Sequence, residues 1–198
     1  MAHPFQSARL LYRAAEPTSA EDQALFLTIQ TDAAGYQNSN FAISRPQGKK
    51  SAEDYLKGVA EECLLGVVIC LPAPADTTST PIPIGAIFLD QLKPALAHHR
   101  HAEIGINIVP AYQGLGYGNE AIRWISRWAF RSAGLHRVSI RAFSYNEGAV
   151  RLYEKLGFQK EGVSRESVWF EGRWWDGVQF GMLAREWREM QEQEGVKQ

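Results

Sequence analysis

The stretch Pro110-Ala111-Tyr112-Gln113-Gly114-Leu115-Gly116-Tyr117-Gly118-Asn119-Glu120-Ala121 decides the fold class. Before it, Ala102 to Val109 alternates as a strand. Ile104, Ile106 and Ile108 fall on one side, and Glu103, Gly105 and Asn107 on the other. After it, a helical pattern runs from about Gly116 to Ala133, with Ala121, Ile122, Ile125, Trp128 and Ala129 on its apolar face. Three alternate glycines between a strand and a helix present backbone amides at a helix mouth, a setting suited to phosphate or pyrophosphate. A P-loop needs Lys and then Ser or Thr after its last glycine, and Asn119-Glu120 stand there instead. A dinucleotide fingerprint counted from Gly114 meets Asn119 at its third glycine. Counted from Gly116 it meets Ala121, which only the looser form allows. That fingerprint also belongs on an early strand, and this loop lies past mid-chain. A glycine turn with no ligand would look the same locally.

Outward from the loop, the chain reads as α/β. Ala8–Ala14 is a first strand. Ser19 offers a helix cap ahead of Gln23–Ile29, and Tyr36 to Ser44 is mixed and turn-rich. Ser51-Ala52-Glu53-Asp54 starts a second helix, and Leu64–Leu71 is a dense apolar strand. Residues 72–81, rich in Pro, Thr and Ala, read as a flexible surface loop. Ile82–Leu89 is a strand broken at Gly85, and residues 91–101 form a further loop. Arg137–Phe143 is a strand, Asn146–Leu156 a helix closed by Gly157, and Phe158–Phe170 and Trp174–Leu183 two long strands joined by a hairpin at Glu171-Gly172-Arg173. Residues 185–198 are a charged helical tail. No internal repeat and no sharp boundary divides the 198 residues, so a single domain spanning 1–198 is expected.

Composition narrows the function classes. A net charge of -1 gives no bulk attraction to nucleic acid or an anionic membrane. No apolar run approaches the length of a membrane span, and the start lacks a secretion signal. Cys63 and Cys70 sit in one apolar run without metal-site spacing, which fits reduced structural thiols in the cytoplasm. His98, His99 and His101 cluster in a polar loop and set no ligand pattern, so no metal is expected.

About thirty residues past the glycine run comes Asn146-Glu147-Gly148-Ala149-Val150-Arg151-Leu152-Tyr153-Glu154-Lys155-Leu156-Gly157-Phe158. Together with Gln113, Gly116 and Gly118, which fit Gln/Arg-x-x-Gly-x-Gly/Ala, this block resembles the GNAT superfamily of acyl-CoA-dependent N-acyltransferases. All six fixed positions of the family's Asn-x-x-Ala-x-x-Leu-Tyr-x-x-x-Gly-Phe block match. The likeness is best from about Ala102 to Trp187, and Arg9-Leu10-Leu11-Tyr12-Arg13 is similar to the family's first strand. The style of the C-terminal half resembles the branch of ribosomal-protein N-terminal and spermidine acetyltransferases.

The resemblance implies a mixed, mainly antiparallel sheet of about seven strands, helices on both faces, and a V-shaped splay between two central strands. It implies acetyl-CoA as cofactor and transfer to a primary amine of a small molecule or a polypeptide N-terminus. Gln113, Gly114, Gly116, Tyr117, Gly118 and Asn119 would hold the pyrophosphate. Ile108 would pair with pantetheine, and the amide of Val109 would be the oxyanion donor. Asn146 is an N-cap by residue type, and in the family it also reaches pantetheine or water. Tyr153 would protonate the departing sulfur, with Leu152 supplying the buried helix position. Glu103 is either the base or a rim ion pair, and water is the alternative base. Some N-terminal acetyltransferases carry a glutamate at the position that Arg141 occupies here. The acceptor pocket would draw on Tyr36, Asn40 and Phe41 and on Trp169, Trp174, Trp175 and Asp176. Those aromatics fit a core or a homodimer interface as well. A non-catalytic acyl-CoA sensor or assembly module is the alternative function.

Overall fold

A computed structural model describes residues 3–73, 80–90 and 93–195. The central part of the expected 72–81 loop and the last residues of the tail lie outside them. Among the described residues, seven strands and six α-helices follow one another: β1 (Leu11–Ala14), α1 (Ala20–Thr31), α2 (Ala33–Ser39), α3 (Lys49–Lys57), β2 (Leu65–Leu71), β3 (Ile82–Leu89), β4 (His101–Ile108), α4 (Tyr117–Arg131), β5 (Arg137–Phe143), α5 (Glu147–Lys155), β6 (Gln159–Phe170), β7 (Arg173–Leu183) and α6 (Ala184–Gln193). The strands hydrogen-bond in the order β1-β2-β3-β4-β5-β7-β6. Every pairing is antiparallel except β4 with β5. The parallel pairing runs from His101↔Arg137 to Glu103↔Ser139, the first residues of each strand. The mixed, mainly antiparallel α/β sheet expected from the sequence is therefore present.

The chain forms two compact units, one from the described residues of Met1–Gln91 and Ile104–Ile125, the other from those of Leu92–Glu103 and Ser126–Gln198. In the first, α1 and α3 place Leu25, Phe26, Ile29, Ala52 and Leu56 against Val68, Cys70 and Ala86 of the sheet. Alternation along β2 sends Val67 and Ile69 to the opposite face, where they are equally buried. There Tyr12, paired with Ile69, stacks on Trp124 of α4 with ring centroids 3.7 Å apart. Helices thus cover both faces of this unit's sheet. Ser19 caps α1 as expected, its Oγ accepting the Asp22 amide at 3.4 Å.

Three expectations need correction here. Tyr36 to Ser44 is not all turn: Ala33–Ser39 forms α2, a short helix with no buried side chain to announce it. Gly85 does not break β3. Its neighbour Ile84 is an extra residue between the pairs Ile69↔Gly85 and Cys70↔Pro83, a bulge that keeps the strand continuous. Within 91–101, Pro94–His99 is a short 3-10 turn and His101 already belongs to β4. The expected charged helical tail is present as α6, and Trp187 anchors it, buried against Phe130 and under the Arg131 guanidinium.

In the second unit, Val178, Phe180 and Met182 of β7 share a buried face with Val138, Ile140 and Ala142 of β5. Helix α5 lays Tyr153 edge-on against Phe180. The other face is polar: Arg137 pairs with Glu161, and Arg141 with Glu103. Gly172 and Glu171 both take positive φ, 75° and 50°, the two-residue hairpin turn that β6 and β7 require.

Candidate active site

In the first unit, β4 ends at Ile108, and a 3-10 turn at Pro110–Tyr112 leads into the glycine loop. Gln113 folds back, its Nε2 donating to the Ile108 carbonyl at 2.7 Å. Gly114 and Gly116 have φ of 73° and 82°, the left-handed region that costs glycine nothing. A Cβ at Gly114 would meet nothing within 4 Å, so the backbone, not crowding, demands glycine there. Helix α4 begins at Tyr117. The Glu120 amide closes the first helical bond, to the Gly116 carbonyl at 3.2 Å. The amides of Tyr117, Gly118 and Asn119 precede that bond, so the helix itself offers them no acceptor. They stand at the positive end of a 15-residue helix dipole. Gln113, Gly114, Gly116, Tyr117, Gly118 and Asn119 thus form one contiguous donor-rich turn.

The edge of β4 corrects one expectation. The Val109 N–H donates to the Ile84 carbonyl at 2.9 Å and is not available as an oxyanion donor. Antiparallel ladders alternate, so this bond fixes the parity of the strand. With Gly85↔Ile108 and Ile87↔Ile106 as partners, the N–H groups of Ile106 and Ile108 turn away from β3. The outward donor next to the loop is therefore Ile108. The polar face of β4 is partly roofed. The Phe88 ring occupies the space a Gly105 Cβ would need, and the Tyr55 hydroxyl donates to Asn107 Oδ1 at 2.6 Å. Asn107 reaches on to Ser39 Oγ of α2 at 3.4 Å. Tyr36 and Asn40 are half-buried at that helix, and Phe41 is exposed. This network anchors the segment expected to line the acceptor side.

In the second unit, Asn146 caps α5, its Oδ1 accepting the Ala149 amide at 3.1 Å. Tyr153 is the deeply buried residue of that helix, and Leu152 is only half-buried, the reverse of the expectation. Burial, with the charge of Glu103 adding to it, pushes the Tyr153 phenol up to about 12. No described protein group bonds its hydroxyl, which also is not among the fully enclosed unpaired atoms. Glu103 Oε1 accepts from Arg141 Nε at 2.6 Å. The glutamate is thus held in an ion pair with Arg141. On the hairpin, Trp169 and Trp174 form an exposed edge-to-face pair with centroids 5.2 Å apart. Trp175 is structural: Tyr145 and Arg173 pack on it, and its Nε1 donates to the Phe170 carbonyl. Asp176 is structural too, with Oδ1 accepting the Glu166 amide at 2.8 Å.

Sequence reading missed Arg9, whose guanidinium reaches the glycine loop. The available signal was Glu120, a carboxylate in the first turn of a helix suited to an anion, which calls for a compensating cation.

Residues 9–159 match the acetyltransferase (GNAT) domain family. The chain belongs to that family. It is 36% identical over 89 residues to a putative ribosomal N-acetyltransferase of Bacillus subtilis, covering 45% of this chain and 49% of that protein. It is 35% identical over 78 residues to a spermidine N(1)-acetyltransferase of Vibrio cholerae, covering 39% and 45%. The chain thus spans no more than half the length of the curated relatives it matches. The same fold is seen in a crystal structure of spermidine N-acetyltransferase from Vibrio cholerae in complex with CoA and spermine. There the TM-score is 0.74 at 23% identity, over 92% of this chain and 99% of that one.

Proposed function

We propose that this chain is an acetyl-CoA-dependent N-acetyltransferase, acting on a primary amine by direct attack. Its acceptor is a small molecule or a polypeptide N-terminus. Family membership supplies the reaction class. The observation that favours transfer over a binding-only module is Tyr153, a buried phenol whose hydroxyl no described protein group bonds. That hydroxyl is not fully enclosed, so it can donate a hydrogen bond to a bound group. The donor turn fits the pyrophosphate of CoA, with two left-handed glycines and three first-turn amides that α4 leaves without acceptors.

When bound, acetyl-CoA supplies a thioester acetyl group and a thiolate leaving group. The loop from Gln113 to Asn119 holds the pyrophosphate. The outward Ile108 N–H donates to the acetyl oxygen as negative charge grows there. Glu103 receives the proton leaving the amine, directly or through water, and Arg141 fixes its carboxylate. Asn146 uses its Oδ1 as the cap and keeps its amide protons for pantetheine or water. Tyr153 remains protonated through the neutral range. Burial raises its pKa above that of a thiol, so it gives up its proton less readily than the departing sulfur does. Tyr153 therefore acts as a hydrogen-bond donor that stabilises the departing sulfur.

On the hairpin, the exposed Trp169–Trp174 pair suits an amine with an apolar neighbour. The cysteines, held as thiols by burial, suit a cytoplasmic setting. The test follows thiol release from acetyl-CoA over arylalkylamines, N-terminal peptides and polyamines. Turnover with one class is expected. Tight CoA binding without turnover on any amine would favour the sensor reading.

A further inference from the structure

Arg9 sits beside the glycine loop with each part of its guanidinium oriented. Its Nε donates to Glu120 Oε2 at 2.8 Å, and Nη1 donates to the Leu115 carbonyl at 3.1 Å. The planar group lies over the Tyr117 ring, 4.7 Å from its centroid. Nη2 lies 3.4 Å from where a Gly116 Cβ would stand. Glu120 is held from three directions. Besides Arg9 Nε, the Arg9 backbone N–H and the Ser7 hydroxyl each donate to Oε1 at 2.7 Å. Burial alone would raise this carboxyl. The Ser7 and Arg9 bonds outweigh it and hold it below its ordinary range.

Glu120 is therefore a fixed, mostly buried anion in the first turn of the helix whose opening amides are to receive a pyrophosphate. Without compensation the two negative charges would repel. We propose that Arg9 is the cofactor-positioning residue that makes this helix mouth usable. It neutralises Glu120 and pins the Leu115 carbonyl, so the loop presents its amides and not a carboxylate to the phosphates. The inference rests on the reading of the loop as the CoA pyrophosphate site. The neutralising role is separable from a merely structural one. Ser7 and the Arg9 backbone hold Glu120 even when the Arg9 side chain is gone, so the anion stays in place uncompensated.

The test compares two donors, acetyl-CoA and acetyl-pantetheine, which lacks the pyrophosphate. For Arg9→Met, KM for acetyl-CoA should rise about tenfold, the scale of one charge-assisted hydrogen bond. KM for acetyl-pantetheine should stay within about twofold. Arg9→Met with Glu120→Gln should recover most of the loss. Arg9→Lys, which keeps charge but loses the fork, should fall between. Melting curves identify any variant that fails to fold, and Arg9→Lys then carries the comparison. Equal losses for both donors, or no recovery in the double variant, would overturn the neutralising role. A wild-type protein that uses acetyl-CoA no better than acetyl-pantetheine would overturn the pyrophosphate reading itself, a separate outcome.

Discussion

Replacing Tyr153 by Phe removes one oxygen and almost no volume, so it tests the hydroxyl and leaves the packing on Phe180 intact. We expect kcat to fall about 100-fold, within the range of acid-base assistance, with little change in the Kd for CoA. Equal losses in both would reject the role of hydrogen-bond donor to the leaving sulfur. The same residue makes a pH prediction. Its folded pKa is raised to about 12 over an ordinary value of 10.0. The neutral form is thus favoured by folding. The associated stability is fully present below the unfolded pKa and is lost as pH rises through the folded one. An ultraviolet tyrosinate titration should show a late-ionising group that Tyr153→Phe removes. At this scale the sequence was informative at Asn146, whose residue type announced the cap it forms on α5. It misjudged which of Leu152 and Tyr153 is the more deeply buried, because helical spacing fixes neighbours but not the angle at which a helix meets its sheet.

At the scale of elements, the turn that leads into α4 is the sensitive part. Gly114→Ala puts a Cβ on a backbone at φ 73°, which costs roughly 1–2 kcal/mol although nothing surrounds it. The strain has to be relieved by rotating the Gly114–Leu115 peptide. A weaker Kd for CoA is therefore expected, with a melting temperature lower by only a few degrees, checked by calorimetry on the two proteins. Strands β5 and β7 were legible because their apolar residues alternate over long runs. Helix α2 was not: Ala33-Ala34-Gly35-Tyr36-Gln37-Asn38-Ser39 carries no apolar stripe, and its last turn is tied to β4 through Asn107. Val109, the expected oxyanion donor, proves to be spent on the ladder for a related reason. Which amides of β4 face outward depends on its pairing with β3, and a strand's own sequence does not specify its partner's register.

At the scale of the whole molecule, a buried charge makes the fold sensitive to losing its partner. Asp22 is fully buried and takes two hydrogen bonds from Arg13, at 2.9 and 2.6 Å, while the Glu16 amide donates a third. Arg13→Met leaves that carboxylate without its cation and should cost about 3–5 kcal/mol in urea unfolding. Arg13→Met combined with Asp22→Leu should recover part of the loss. A smaller loss for the single variant than for an exposed ion pair would count against this account. Acid should weaken the fold as well. Glu120 has a lowered folded pKa, so its contribution is present above the unfolded value and disappears as pH falls through the folded one. Glu120→Gln should flatten that part of the acid limb. The sheet, its helices and most of the donor loop could be read from the chain. The ion pairs that tie Arg9 to Glu120 and Arg13 to Asp22 could not, since they join residues by their approach in space.

The bond from Val109 to Ile84 has a consequence for how this region can vary. Strand β4 is read in a frame of two, and the bulge residue Ile84 holds the frame by accepting that amide. A changed side chain between Gly105 and Val109 alters one contact. One residue gained or lost there exchanges inward and outward amides along the rest of the strand, turning the proposed oxyanion donor into a ladder bond. The end of β4 can thus be retuned by substitution, but not by changing its length.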